Sequence, residues 1–211
     1  MTKALIFDFD GTMIDSEWLF FESVNSYLAK NFKYRIPFED YQKGIGSSSD
    51  GTFYEQISHA IGKPLNTAEL DEWIIHDQQR NYGAACLRDG IQELLEKAHE
   101  QQWKIGVVSN SSQRELDYYF AKHPAINEKI DVFVTIDDVQ AGKPDPKGYQ
   151  QCLEHLGVES SEAAAIEDSP LGAKAAVAAN ILTYAYPNVF TEGMDFPQPV
   201  KKFEQVNELF D

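Results

Sequence analysis

Two aspartates, one residue apart, follow the first apolar run of the chain in the stretch LIFDFDGT. In an extended strand residues i and i+2 share a face, so Asp8 and Asp10 can point into one pocket, and Gly11 permits a sharp turn after them. One carboxylate can serve as a nucleophile and a second one as a general acid and base. Because like charges at a buried strand end repel each other unless a cation lies between them, the pair also indicates a bound cation.

A second acidic pair, Glu167-Asp168, follows the apolar run AAAI. Two more carboxylates at a buried strand end repeat the electrostatic problem of the first pair. Hard oxygen ligands from separate strand ends suit Mg²⁺, which prefers octahedral oxygen coordination and keeps waters that a phosphate can share. The two pairs together therefore predict a magnesium site.

Two further clusters carry hydroxyl, amide and ammonium groups. The cluster Ser109-Asn110-Ser111 ends the run KIGVVS at the start of a predicted helix, where its hydroxyls and backbone N–H groups could hold an oxyanion or a phosphate, although helix capping alone would also explain it. Lys143, in QAGKPDP, is held before a helix by two prolines, which favours a fixed charge for a phosphoryl group or for carboxylates; a solvated loop lysine is the alternative. Acids, hydroxyl and lysine together are the groups that phosphoryl transfer requires.

The elements that position these groups follow from the hydrophobic pattern. Short runs rich in Ile and Val alternate with helix-length segments, which is typical of a parallel sheet with helices on both faces. The runs are residues 4–9, 104–109, 132–135, 163–167 and 181–184. Each approaches a polar or acidic cluster at its carboxyl end, where open α/β sheets bind their ligands. The sequence therefore predicts an α/β fold with a Rossmann-like parallel sheet at its core.

Start signals place three helices directly after the polar clusters. Ser112 with Glu115 fits a capping box. Asp145-Pro146 and Ser169-Pro170 each fit a capping residue followed by proline at the first helical position.

One interval between predicted strands is far longer than a typical connection and has helical patterns of its own. We expect residues 16–83 to form an inserted helical subdomain, and residues 1–15 and 84–211 to form the core. The segment PNVFTEGMDFPQPVKKFEQVNELFD is interrupted by prolines and is expected to pack along the sheet edge. We assign it no chemistry.

Composition excludes several classes of partner. The formal charge of −16 opposes binding to nucleic acids or anionic membranes, because no basic surface could displace counterions from phosphates. The first residues lack the apolar core of a signal peptide, and no run is long enough to span a bilayer. We expect a cytoplasmic protein, a monomer, whose partner is a small phosphorylated metabolite.

These four clusters, in this order, resemble the motifs of the haloacid dehalogenase-like superfamily. DFDGT resembles its first motif, VVSNS its second, the lysine of GKPDP its third and IEDS its fourth. The insert after DFDGT is similar to the helical cap of the subgroup that contains phosphoglycolate phosphatase-like enzymes and β-phosphoglucomutase. The resemblance implies a phosphoric monoester hydrolase with a Rossmann-like core and a cap domain.

The resemblance also implies roles for individual residues. Asp8 would form an aspartyl-phosphate, and Asp10 would protonate the leaving alkoxide and then activate water. Thr12 would help to position Asp10 and the turn that follows it. Ser109 and Lys143 would bind the transferring phosphoryl group.

Two further implications concern the phosphate and the metal. Asn110 would lie beside the phosphoryl group. Mg²⁺ would be held by the Asp8 carboxylate, the Asp10 backbone carbonyl and Asp168, with Glu167 taking part either directly or through a neighbouring ligand. The dehalogenase branch lacks an acid at the position of Asp10, so its presence favours phosphoryl transfer.

Phosphatase and mutase are harder to separate. β-Phosphoglucomutase has a histidine where this chain has Phe20 and an arginine where it has Ser47, and those side chains help to hold a bisphosphate. Their absence favours hydrolysis of a small phosphorylated metabolite, a sugar phosphate by preference, and the register leaves the mutase open. An acidic, non-catalytic binding module is a third alternative.

Substrate choice is expected to reside in the cap. Lys43 is the cap residue that we expect to contact the substrate. Phosphonatase-like members of the superfamily use a cap lysine as a Schiff base; no position here compels that role, and Lys43 stays open for it.

Overall fold

The computed structural model describes residues 2–44, 52–81, 85–204 and 206–209. The chain divides into two compact units, one made of Met1–Asp15 and Ala85–Asp211 and the other of Ser16–Ala84. We call the first the sheet unit and the second the helical unit.

The helical unit consists, within its described residues, of helices that present aromatic side chains to one another. They are α1 (Ser16–Phe32), α2 (Phe38–Gly44), α3 (Thr52–Ile61) and α4 (Thr67–Asn81). The rings of Phe21 and Tyr41 lie 4.8 Å apart, and Phe53 packs edge-on against Tyr41 at 5.7 Å. Phe20 joins this aromatic cluster. The Lys43 side chain and the whole of Ser47 lie outside the described residues.

The sheet unit is built on six parallel strands in the order β3-β2-β1-β4-β5-β6. The strands are β1 (Ala4–Phe7), β2 (Lys104–Val108), β3 (Val132–Val134), β4 (Ala163–Glu167), β5 (Leu182–Ala185) and β6 (Val200–Lys202). All four residues of β1 and all five of β4 are buried, as expected for central strands covered on both faces. The predicted Rossmann-like α/β fold is confirmed.

Helices connect the strands of the sheet unit. They are α5 (Ile91–Glu100), α6 (Gln113–Phe120), α7 (Pro124–Asn127), α8 (Lys147–Leu156) and α9 (Pro170–Ala178). Ser112 and Glu115 form the predicted capping box of α6, and Ser169 caps α9 by accepting a hydrogen bond from the Gly172 N–H. Both helices therefore begin at the carboxyl edge of the sheet.

The structure differs from the sequence prediction by one or two residues at several element boundaries and by one additional strand. Helix α8 begins at Lys147 with Pro146 as its capping residue, and Asp145 accepts a hydrogen bond from the Lys147 N–H. The strands predicted over 4–9 and 104–109 end at Phe7 and Val108, because the next residues turn into the site. Strand β6 was not predicted, since three residues after a proline carry almost no periodic signal. No helix among the described residues is long and apolar enough to cross a bilayer.

Candidate active site

The site lies at the carboxyl edge of the three central strands. Because β1 is paired in parallel with both β2 and β4, the residues that follow these strands meet at the same end of the sheet. Asp8 follows β1, Ser109 follows β2, and Glu167 is the last residue of β4. Lys143, from the loop before α8, reaches the same edge.

Lys143 bridges one acid from each acidic pair. Its Nζ lies 2.5 Å from Asp8 Oδ1 and 2.7 Å from Glu167 Oε1. All three side chains are buried, with 7%, 9% and 1% of their surface exposed. The Tyr149 hydroxyl donates a hydrogen bond to the same Glu167 oxygen. The lysine is therefore a fixed charge between two carboxylates rather than a solvated loop residue.

Asn110 positions the lysine loop. Its Oδ1 accepts a hydrogen bond of 2.8 Å from the Lys143 backbone N–H, and its side chain fills the space above Gly142. A Cβ on Gly142 would lie 2.5 Å from that Oδ1, so the loop approaches Asn110 as closely as glycine allows.

The electrostatics of the bridge are dominated by burial. Loss of hydration raises the pKa of Asp8 above its usual value, and the Lys143 ammonium opposes that change. Burial likewise raises the pKa of Glu167 to about 7, again against the effect of Lys143. Burial by itself would lower the pKa of Lys143, but Asp8 and Glu167 more than offset it and hold that pKa above its usual range. The lysine is thus firmly protonated.

The second acid of the first pair has different partners. Asp10 Oδ2 accepts hydrogen bonds from the hydroxyls of Ser111, at 2.7 Å, and Ser109, at 3.2 Å. The Ser109 hydroxyl in turn accepts a bond of 2.9 Å from the Ser111 backbone N–H. Asp8 and Asp10, although they follow the same strand, are therefore held by different chemical groups.

The second acid of the other pair is also held by neutral donors. Asp168 accepts hydrogen bonds from the Thr12 hydroxyl at 3.4 Å and from the Asn188 side-chain amide at 2.8 Å. Thr12 thus links the turn after the first acidic pair to Asp168, and its implied help in positioning Asp10 stays a prediction. The turn after Asp10 requires Gly11, which has φ +79°, and a Cβ there would lie 2.4 Å from Asp168 Oδ2.

The donor set fits a divalent cation. Carboxylate oxygens of Asp8, Glu167 and Asp168 lie within 4.8 Å of one another, and all three residues are buried. Asp8 Oδ2 and Glu167 Oε2 are buried without a hydrogen-bond partner in the described part of the chain. When all are ionised, these three carboxylates carry two more charges than the Lys143 ammonium, and a divalent cation among them would reduce the cost of burying that charge. Hard oxygen ligands of this kind suit Mg²⁺.

Ser111 belongs to the hydroxyl cluster identified from the sequence, and its hydroxyl donates to Asp10. Three other residues of the site were not predicted. Tyr149 and Asn188 each hold one of the acids, and the Arg88 guanidinium donates hydrogen bonds to the carbonyls of Gly11, Tyr186 and Pro187. These are single residues outside the motifs, and spacing alone could not connect them to the acids.

A parallel α/β sheet with carboxylates, a buried lysine and hydroxyls at its carboxyl edge defines an enzyme of the kind that works on phosphoryl groups. Residues 5–186 match the family model described as haloacid dehalogenase-like hydrolase, and the chain belongs to that family. The resemblance given by the four motifs is confirmed.

Relatives match nearly the whole chain. YhcW of Bacillus subtilis, provisionally named a phosphatase, is 30% identical over 209 residues, which cover 99% of this chain and 94% of that protein. A phosphorylated carbohydrates phosphatase of Thermotoga maritima is 29% identical over 182 residues, which cover 85% of this chain and 82% of that protein. The crystal structure of a CbbY variant from Rhodobacter sphaeroides with xylulose-(1,5)bisphosphate has a TM-score of 0.79 at 24% identity. The match covers 99% of this chain and 96% of that one. That last likeness concerns the fold.

Proposed function

We propose that this protein is a Mg²⁺-dependent phosphatase that hydrolyses a small phosphorylated metabolite, of the sugar phosphate class, through an aspartyl-phosphate on Asp8. The observation that carries the proposal is the division of the acids at the sheet edge. Asp8 is fixed by an ammonium, whereas Asp10 is held separately by two hydroxyls. One carboxylate is thus arranged as a nucleophile and the other as a proton carrier.

In the first step an Asp8 carboxylate oxygen attacks phosphorus. A bond forms between that oxygen and phosphorus, and the bond between phosphorus and the ester oxygen breaks with its electron pair going to the ester oxygen. Protonated Asp10 gives its proton to this leaving alkoxide. The Lys143 ammonium favours the ionised form of Asp8 against the effect of burial and lies where it can attract the phosphoryl oxygens.

In the second step Asp10, now ionised, takes a proton from a water molecule. The water oxygen attacks the phosphorus of the aspartyl-phosphate, the bond between phosphorus and the Asp8 oxygen breaks, and inorganic phosphate leaves. Asp8 is regenerated as a carboxylate and Asp10 as an acid. The hydroxyls of Ser109 and Ser111 hold the Asp10 carboxylate in place during both steps.

The metal would be held by Asp8 and Asp168, with Glu167 and the Asp10 backbone carbonyl as further candidates. When bound, Mg²⁺ would supply positive charge to the phosphoryl oxygens and offset the repulsion between that group and the acids. Glu167 also keeps Lys143 in position.

The proposed substrate class is supported by what the relatives are named for. The Thermotoga maritima relative is a phosphorylated carbohydrates phosphatase, and a relative from Streptomyces hygroscopicus subsp. limoneus, 28% identical over 183 residues, is a validoxylamine A 7'-phosphate phosphatase. Substrate selection by residues 16–83, with Lys43 as a contact, stays a prediction from the sequence.

The test is release of inorganic phosphate from a panel of sugar phosphates, with MgCl₂ or with EDTA. We expect turnover of at least one sugar phosphate that requires Mg²⁺. The Asp8→Asn variant should lose about 10⁴-fold or more of that activity, because an amide cannot replace the carboxylate nucleophile. Asp195→Asn, a neutralisation at an exposed aspartate, is the matched control and should keep wild-type activity.

The substrate panel also tests the alternative activities, hydrolysis of pyrophosphate and a mutase reaction. Inorganic pyrophosphate is included because pyrophosphatases named PpaX are 27% identical relatives. A mutase would convert β-glucose 1-phosphate, primed by a bisphosphate, to the 6-phosphate with little phosphate release. Turnover that survives in Asp8→Asn, or that is equal in EDTA, would contradict the proposed mechanism.

A further inference from the structure

The loop that follows β5, residues 186–191, reaches the acidic cluster from a part of the chain to which the sequence assigned no chemistry. Asn188 in this loop is 6% exposed. Its Nδ2 donates a hydrogen bond of 2.8 Å to Asp168 Oδ2 and lies 3.4 Å from the Gly11 carbonyl oxygen. A buried side chain outside the four motifs thus contacts a candidate metal ligand directly.

The orientation of the Asn188 amide is fixed by its own loop. Its Oδ1 accepts hydrogen bonds from the backbone N–H groups of Phe190, at 2.8 Å, and Thr191, at 3.2 Å. The Asn188 N–H donates to the Thr191 hydroxyl at 3.0 Å. A reversed amide would place oxygen against the Asp168 carboxylate and nitrogen against two N–H donors, so only the present orientation satisfies every group.

The loop itself is tied to the turn after the first acidic pair. The Arg88 guanidinium donates hydrogen bonds to the carbonyls of Tyr186, at 3.0 Å, and Pro187, at 2.8 Å, and a third to the carbonyl of Gly11. It also lies 3.9 Å from the centre of the Tyr186 ring. Arg88 therefore fixes the backbone on which Asn188 is carried.

The two donors that hold the Asp168 carboxylate in this site are neutral. Asn188 and Thr12 hold one oxygen each, and neither carries a charge that would compete with a cation for the carboxylate. An ammonium in the same place would hold the carboxylate equally well but would repel a metal ion. An amide donor orients the ligand and keeps its charge available.

We propose that Asn188 is a positioning residue that sets the orientation of the Asp168 carboxylate for a divalent cation, with Arg88 holding the loop that carries it. This inference rests on the metal site of the proposed function. Removing a group that orients a metal ligand typically weakens metal binding about 10- to 100-fold. Asn188 therefore acts on metal affinity and not on the chemistry of Asp8.

The experiment is titration of the metal-free, phosphate-free protein with Mn²⁺, with free Mn²⁺ followed by electron paramagnetic resonance. We expect the wild type to bind one Mn²⁺ and Asn188→Ala to bind it about 10- to 100-fold more weakly. Asn25→Ala is the matched control. Asn25 is 1% exposed, donates to the Ile36 carbonyl and accepts from the Ile36 N–H, in the helical unit. Its loss should lower the unfolding temperature and leave Mn²⁺ affinity unchanged.

Asn188→Ser covers the case in which the alanine variant does not fold. A serine hydroxyl can accept from the N–H groups of its own loop but is too short to reach Asp168. Weaker Mn²⁺ binding in this variant supports the proposal; affinity within twofold of wild type in either folded variant overturns it. An equal loss in Asn25→Ala also overturns it, because the effect would then follow from stability. A wild type that binds no Mn²⁺ counts against the proposed function itself.

Discussion

The four acids at the sheet edge form two groups according to their partners, and these groups differ from the two acidic pairs of the sequence. Asp8 and Glu167 share a buried ammonium, whereas Asp10 and Asp168 accept hydrogen bonds from hydroxyl and amide groups. Each acidic pair of the sequence contributes one member to each group. The first group is bound to a buried positive charge, and the second group accepts directional hydrogen bonds from neutral donors.

This difference suits two kinds of work. A nucleophile must stay ionised although buried, and the Lys143 ammonium favours the charged form of Asp8 against the effect of burial. A metal ligand must instead be oriented while it keeps its charge, and a proton carrier must be oriented while it gains and loses a proton. Hydroxyl and amide donors do that, since they add hydrogen bonds and no charge.

Among the variants that test this comparison, replacement of Asp10, an acid held by neutral donors, should lower the activity most. We expect Asp10→Asn to lower kcat for a sugar phosphate about 10²- to 10⁴-fold, because an amide cannot carry the proton to the leaving group. Binding of the substrate should change little. Steady-state kinetics on the sugar phosphate found by the panel provide the measurement.

A second substrate makes this prediction sharper. The leaving group of p-nitrophenyl phosphate needs no proton, so Asp10→Asn should form the aspartyl-phosphate but hydrolyse it slowly. Stopped-flow absorbance should therefore show a burst of p-nitrophenolate. An unchanged kcat on the sugar phosphate would refute the assignment of Asp10.

Removing the shared ammonium should act on stability as well as activity. Lys143→Met leaves Asp8 and Glu167 buried beside each other, and breaking a buried ion pair costs about 3–5 kcal/mol. The unfolding temperature of the metal-free protein, measured by calorimetry, should fall accordingly.

Lys3→Met is the matched control for the lysine. Lys3 Nζ also lies 2.5 Å from a carboxylate, that of Glu162, but the two side chains are 62% and 28% exposed. Exposed pairs contribute little because water and salt screen them. We expect almost no change in the unfolding temperature, and equal losses in the two variants would show that burial is not what distinguishes the two pairs.

The smallest loss of activity is expected when one of the two hydroxyls that hold Asp10 is removed. Ser111→Ala removes the 2.7 Å bond to Asp10 and leaves the Ser109 bond in place. Loss of one hydrogen bond to a charged group should lower kcat about tenfold. Ser161→Ala, at an exposed turn, should have no effect in the same assay. A loss as large as that of Asp10→Asn would mean that Ser111 does more than orient the acid.

Much of the fold and the positions of the acids could be predicted, because the end of a buried strand is marked in the sequence by an apolar run followed by polar or charged residues. The acids at the ends of β1 and β4 were identified because each acidic pair follows an apolar run. The capping box predicted at Ser112 was confirmed. Strand β6 was missed, since a three-residue edge strand has too few positions to show alternation. The start of α8 differed by one residue, because Asp145 and Pro146 can each precede a helix.

The partners of the acids could not be predicted in the same way. Thr12, two residues after Asp10, was expected to help position that acid and the turn, and the partner of its side-chain hydroxyl, Asp168, was not predicted. Asn188 and Tyr149 belong to segments with no motif of their own. Their contacts depend on which strands are neighbours in the sheet, and hydrophobic periodicity carries no such information.

The sequence by itself determined the family, the parallel α/β fold and the identity of the acids and the lysine, because these depend on residue type, order and spacing along the chain. Tertiary structure alone decided which acid has which partner. The strand order places β1 between β2 and β4, so that Lys143 meets Asp8 and Glu167 while Asn188 meets Asp168. The physical reason is range: hydrogen bonds and buried ion pairs act over a few ångströms in space, between residues that the chain keeps far apart.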